Sequence, residues 1–98
     1  MNIQAMMKQA QQMQKDMMNA KKEIDETVFE TNKSFVSVTM SGDKKIKSIN
    51  IRQKDLNEED IEILQDLLLV SVNETITKID KETEAKMGKY TKGMPGLF

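Results

Sequence analysis

The chain has 98 residues, 15 basic and 16 acidic, giving a formal net charge of −1, and it lacks both histidine and cysteine. At that length only about 60–65% of the unfolded surface is buried, so a single domain with a thin core is expected. The missing imidazole and thiol groups remove the commonest general base, the strongest nucleophile, disulfides and most transition-metal sites, and argue against an enzyme.

The longest apolar run, Leu67–Val70, falls far short of the roughly 20 residues of a membrane span. The start, Met1-Asn2-Ile3-Gln4-Ala5-Met6-Met7-Lys8, is not the basic stub and apolar run of an export signal. Cysteine usage fits a reducing compartment, so a cytoplasmic, non-membrane protein without cofactors is expected, and oligomerisation is its readiest route to more buried area.

Residues 2–26 contain no proline or glycine. Ile3, Ala10, Met17 and Ile24 recur every seven residues, with Met6, Met13 and Ala20 offset by three. This a/d pattern predicts a long helix with a narrow apolar seam, widened by Met7 and Met18. Gln4, Lys8, Gln11, Lys15 and Lys22 fall on the other face. A rod of roughly 37 Å, at 1.5 Å per residue, exceeds what a compact body of this size needs, so part of it should project.

From Thr27 to Arg52 the period changes to two. Thr27–Thr31, Phe35–Met40 and Ile49–Arg52 read as three short strands, with Asn32-Lys33-Ser34 and Ser41-Gly42-Asp43 as connections. Gly42 is expected to supply the positive φ of a tight hairpin. An antiparallel meander would place Val36, Val38 and Met40 on one face, with Ile49 and Ile51 as their cross-strand partners.

Asn57 can cap a second helix whose first turn holds Glu58, Glu59 and Asp60, running over about 57–86. One stripe is Ile61, Leu64, Leu68, Val72, Ile76 and Ile79; a second is Ile63, Leu67 and Val70. Packing on one sheet needs a stripe of only about 100°. The surplus face therefore predicts a homodimer with Ile63, Leu67 and Val70 at its interface. Residues 88–98, punctuated by Gly88, Gly93, Pro95 and Gly96, are expected to form an irregular tail that can dock Leu97 and Phe98 onto the core.

Catalytic patterns are absent: the glycines form no phosphate loop, and acidic pairs such as Glu58 and Glu62 read as a solvated face. The nine methionines read first as seam packing, ahead of an adaptable protein-binding face or a Cu(I) site. Charge is uneven. Lys44, Lys45, Lys47, Arg52 and Lys54 occupy a stretch free of acidic residues, whereas 58–84 is dominated by them. On residues alone a solvated polar face is the simpler account of this basic cluster. Its alternative is salt-dependent phosphate binding without base stacking, because no aromatics interleave the charges.

Met7-Lys8-Gln9-Ala10-Gln11-Gln12-Met13-Gln14 resembles the run that opens the first helix of the YbaB/EbfC family of bacterial nucleoid-associated proteins. Val36-Ser37-Val38-Thr39-Met40-Ser41-Gly42 resembles its V-x-V-T-x-x-G strand and turn. Val72-Asn73-Glu74-Thr75-Ile76 is similar to the centre of its last helix, and Gly93-Met94-Pro95-Gly96-Leu97-Phe98 to its ending. The resemblance covers nearly the whole chain and implies a single α+β domain over 1–98: an α-β-β-β-α chain with a three-stranded antiparallel sheet and a long projecting N-terminal helix. It further implies a tight dimer, with the last helices between two sheets and the first helices as arms, and nucleoid-associated binding of duplex DNA. Candidate DNA contacts, chosen by charge and exposure, are Lys8, Lys15 and Lys22 on the arm, and Lys44, Lys45, Lys47, Arg52 and Lys54. The rival expectation is a dimeric module whose Met-rich helix binds a partner protein. The family's glycine-rich connection before the V-x-V strand is replaced by Phe29-Glu30-Thr31-Asn32-Lys33-Ser34, which predicts a stiffer or longer first hairpin.

Overall fold

Asn2 starts the first helix: its side-chain oxygen accepts from the backbone N–H of Gln4 at 3.1 Å and of Ala5 at 3.4 Å. Helix α1 (Ile3–Glu26) ends where Thr27 turns extended, its hydroxyl donating to the Glu23 carbonyl at 2.6 Å. The computed structural model describes residues 2–91. After α1 come β1 (Val28–Lys33), β2 (Val36–Ser41), β3 (Ile46–Ile51) and helix α2 (Glu58–Thr91). The strands form one antiparallel sheet in the order β1-β2-β3.

Register explains which side chains share a face. Thr31 pairs with Val38 and Lys33 with Val36, while Val36 pairs with Ile51 and Val38 with Ile49. A register shift at Thr39/Met40 brings Ile46 opposite Met40. Thr31, Val36, Val38, Met40, Ile46, Ile49 and Ile51 therefore line one face. The other face carries polar residues such as Ser37, Thr39 and Ser48, and the Thr39 and Ser48 hydroxyls bond each other at 2.5 Å.

Helix α2 covers the apolar face, but only in part. Among the described residues it packs on β1, β2 and α1 and not on β3. Val36 and Val38 are fully buried and Met40 nearly so, whereas Ile46, Ile49 and Ile51 are 48%, 48% and 40% exposed. The line of deepest burial on α2 is Ser71, Thr75, Ile79 and Met87. Small hydroxyl residues thus let the helix approach the sheet closely: the Thr75 hydroxyl lies 2.7 Å from that of Thr31 and also donates to the Ser71 carbonyl at 2.8 Å. The Ser71 hydroxyl is buried without a hydrogen-bond partner among the described residues. Lys33–Glu74 at 3.1 Å and Lys78 to the Glu30 carbonyl at 2.7 Å tie the same helix face to β1. Of the first apolar stripe only Ile79 is fully buried; Leu64, Leu68, Val72 and Ile76 are half-buried, and Ile61 is exposed.

Three boundaries differ by two residues or more from the sequence reading. Strand β1 runs on through Asn32 and Lys33, leaving Ser34 and Phe35 as a two-residue turn with Ser34 at φ 52. Strand β3 begins at Ile46, ahead of the expected Ile49. Helix α2 continues past Lys86 through Gly88 to Thr91, taking in the first part of the expected tail. The docking expected of Leu97 and Phe98 falls outside the described residues.

Gly42 is also required for a different reason from the expected one. The positive φ of the β2–β3 turn belongs to Lys44, at 65°. Gly42 is needed for space: a Cβ there would lie 1.8 Å from the Ile24 carbonyl oxygen. Its N–H donates to the Thr27 carbonyl at 2.9 Å, so this turn is pressed against the end of α1. Gly42→Ala must move backbone against backbone and is expected to cost roughly 3 kcal/mol, lowering Tm by more than about 10 °C in thermal denaturation. An unchanged Tm would show that this junction is looser than the geometry requires.

Candidate nucleic-acid interface

The arm's lysines follow from helical spacing. Lys8, Lys15 and Lys22 are seven residues apart, which places them in one row roughly 10.5 Å apart, opposite the a/d seam. All three are exposed, and among the described residues none is in an ion pair. Lys21, next to this row, is held by Asp25 at 3.2 Å. From Ile3 to Asp16 every residue of α1 is exposed, and burial begins only with Met17, Ala20 and Ile24. More than half of the helix therefore stands clear of the body, the particle's long dimension being 72 Å against 20 and 14 Å for the others.

The basic hairpin divides into two ends. At the β2–β3 turn, Lys44 pairs with Asp80 of α2 at 2.8 Å, and Lys45 approaches Asp43 at 3.7 Å. Hydrogen bonding from the Ser41 hydroxyl, then the charges of Lys45 and Lys47, hold the Asp43 carboxyl below its usual pKa. Because Gly42 abuts Ile24, this turn sits at the base of the arm, near the Lys22 end of the row. Lys47, on β3, is exposed with no ion pair among the described residues. Exposed ion pairs of this kind contribute about 0–1 kcal/mol, so a phosphate can displace them at little cost.

Arg52 and Lys54 lie at the opposite end of β3, roughly 20 Å away at 3.3 Å per residue. Lys54 is exposed, but Arg52 is engaged. Its guanidinium donates to the Ser37 hydroxyl, to the Ser34 carbonyl at 2.5 Å and to the Val36 carbonyl at 3.4 Å. Its backbone N–H donates to the Phe35 carbonyl at 2.8 Å. Ser37 in turn donates to Asn32. Arg52 thus clamps the β1–β2 turn, where Ser34 holds a left-handed conformation without being glycine. Spacing gives no sign of this role; the only signal is an arginine at a strand end where lysines occupy the other basic positions.

The structure thus sets the β2–β3 turn at the root of the arm and places Arg52 and Lys54 at the far end of β3. Residues 1–94 match the YbaB/EbfC DNA-binding family. The chain belongs to that family. It is 46% identical over 98 residues to a nucleoid-associated protein of Enterococcus faecalis, covering 98% of this chain and 94% of the relative. Against one from Lactococcus lactis subsp. cremoris it is 45% identical over 97 residues, covering 97% and 98%. A Clostridium botulinum relative of the same description is 46% identical over 97 residues, covering 97% and 86%. Within this YbaB/EbfC chain, the Met7–Gln14 run lies on the free part of the arm, Val36–Gly42 is β2 with its turn, and Val72–Ile76 is where α2 settles on the sheet. The Gly93–Phe98 ending falls outside the described residues.

Arg52→Ala is expected to lower Tm by roughly 5–10 °C, from lost hydrogen bonds to a charged group, while leaving the salt dependence of any DNA binding as it was. A Tm equal to the parent's, with a shallower salt dependence, would make Arg52 a phosphate contact instead of a clamp.

Proposed function

We propose that the protein binds duplex DNA as a homodimer in the nucleoid, within the cytoplasm, through phosphate contacts with limited sequence preference. The observation that carries this reading is the row of Lys8, Lys15 and Lys22 on a projecting arm, in a chain that belongs to a DNA-binding family. Lysine offers a compact point charge without the planar fork that reads guanine edges, which suits phosphates and gives little base discrimination. Lys44, Lys45 and Lys47, near the arm's base, are further candidates, and Lys54 is a more distant one. A net charge of −1 is no obstacle, since the acidic residues concentrate on α2.

Uncovered apolar surface supports the homodimer. On α2, Ile61, Ile63, Leu69 and Val70 are 44%, 47%, 65% and 48% exposed, Leu67 is half-buried, and no residue from Glu58 to Val70 is buried. The exposed Ile46, Ile49 and Ile51 of β3 form a second bare strip, on the sheet face that α2 occupies over β1 and β2. A partner's α2 laid over β3 would cover both strips reciprocally in a two-fold arrangement. Ile63, Leu67 and Val70 are then interface residues. Val70→Asp, at a position already 48% exposed, should yield a folded monomer, and Leu67→Asp a monomer or an unfolded chain. A dimer mass in sedimentation for both variants would reject the interface.

The phosphate mechanism is tested by titrating DNA binding with salt. The triple variant Lys8→Gln, Lys15→Gln, Lys22→Gln should flatten log K against log salt by about 2.7 for each arm engaged, at about 0.9 per lost contact. An unchanged slope with unchanged affinity would remove the arm from the interface. The exposed Ile3, Met6, Met7 and Met13 favour one rival, a dimeric module gripping a partner protein with the arm's seam. Stoichiometric protein capture without DNA retention at low salt would decide for it.

A further inference from the structure

The methionines fall into two environments. Met6, Met7, Met13 and Met18 are 52%, 57%, 55% and 63% exposed, whereas Met40 and Met87 are each 1% exposed. Met17 is half-buried at the point where the arm meets the body, and Met1 and Met94 lie outside the described residues. Among the described residues the four exposed thioethers are all on α1. Counted at 100° per residue they fall within an arc of roughly 140° that also holds Ile3 and Ala10, while Lys8, Lys15 and Lys22 lie on the other side. One arm therefore carries an oxidisable apolar stripe and a separate cationic row.

We propose that Met6, Met7, Met13 and Met18 form a reversible oxidation site for two-electron oxidants of the peroxide class, which turns the arm's apolar stripe polar and leaves the folded body intact. In each event the thioether sulfur attacks one oxygen of hydrogen peroxide. The O–O bond breaks, a sulfur–oxygen bond forms, and the other oxygen leaves as water. Sulfur is oxidised and the peroxide reduced by the same two electrons. A dithiol reductant of the methionine sulfoxide reductase type reverses the change, returning the thioether with a disulfide and water. Selectivity comes from access. Met40 lies under α2 and Met87 is buried on α2, whereas the arm's sulfurs are open to solvent along most of the helix. A sulfoxide is polar where a thioether is apolar, so four of them remove the stripe as a hydrophobic surface. The lysine row has no thioether within it and keeps its charge.

The test uses the full chain, hydrogen peroxide at graded doses, and peptide mass mapping. Met6, Met7, Met13 and Met18 should each gain one oxygen roughly ten-fold or more faster than Met40 and Met87, with unchanged far-ultraviolet circular dichroism. Fluorescence of an apolar dye should fall at least about two-fold and recover with a sulfoxide reductase and its dithiol. The variant carrying leucine at those four positions should keep its dye signal through the same treatment. Equal oxidation of arm and core methionines, protection of the arm at the level of the core, or an equal loss of dye signal in the leucine variant would each overturn the proposal. The mass map of the parent chain decides the site even if the variant folds poorly.

Discussion

Helix α2 meets the sheet through hydroxyl-bearing side chains, and this close seat determines what the rest of the chain can do. Ser71 and Thr75 are fully buried, and the Thr75 hydroxyl bonds that of Thr31 at 2.7 Å. Larger side chains at these two positions would hold the helix farther from β1 and β2. With α2 drawn down over those strands, one helix diameter of about 10 Å is spent on two strands spaced about 4.8 Å apart. Among the described residues no helix covers the third strand. Its isoleucines and the first half of α2 are apolar and bare for the same geometric cause, which is why a single contact at Thr31 bears on association.

The second constraint is the missing Cβ of Gly42. With the Ile24 carbonyl oxygen 1.8 Å from where that atom would lie, the last turn of α1 is pressed onto the β2–β3 turn, and the arm's direction is tied to the sheet at its root. Beyond that root the helix has no support from the body. Continuous exposure begins with Asp16 and extends back to Ile3. An isolated helix shorter than about 12–15 residues is marginal in water, and the unsupported stretch is close to that length, so propensity and capping matter. Here Asn2 caps the start, the interior is rich in Ala, Met, Gln and Lys, and Gln12 donates to Asp16 at 2.9 Å. The arm can therefore keep its shape without burying its seam.

Periodicity makes most of this architecture legible. The heptads mark α1, the change to period two marks the sheet, and alternation puts Val36, Val38 and Met40 on the face that becomes the core. Local rules fail where tertiary geometry takes over. Turn chemistry assigns Gly42 a special backbone conformation, yet it is the approach of Ile24, eighteen residues earlier, that demands glycine. Gly88 reads locally as a helix breaker, but α2 passes through it. A Cβ at that position would meet nothing within 4 Å among the described residues, so a close approach does not dictate glycine there. The modest cost of glycine in a helix is outweighed by the anchoring of Met87 beside it. The buried Ser71 and Thr75 escape amphipathic patterns because those weigh apolar residues, and a close seat needs small ones. Charge and spacing put the arm's lysines in one row, which the structure leaves exposed, while the role of Arg52 is not legible that way: several of the guanidinium's donors are occupied by the β1–β2 turn, an engagement visible only once the strands are paired.

The ion pairs around the basic turn bear on how a nearly neutral chain can hold a polyanion. Lys44 is paired with Asp80 across the gap between turn and α2, and Lys45 with Asp43 within the turn. Both pairs lie at the surface, so their Coulomb energy is screened and their disruption costs little. In the free protein the carboxylates satisfy these lysines and keep the local field small. When duplex DNA approaches, each lysine can exchange one carboxylate for a phosphate, but the carboxylate left behind repels the same backbone. The net gain per lysine at the turn is therefore smaller than on the arm, where Lys8, Lys15 and Lys22 have no acidic partner among the described residues. On this account affinity in the proposed complex is concentrated on the arm. The turn then works mainly as a root that fixes where the arm points.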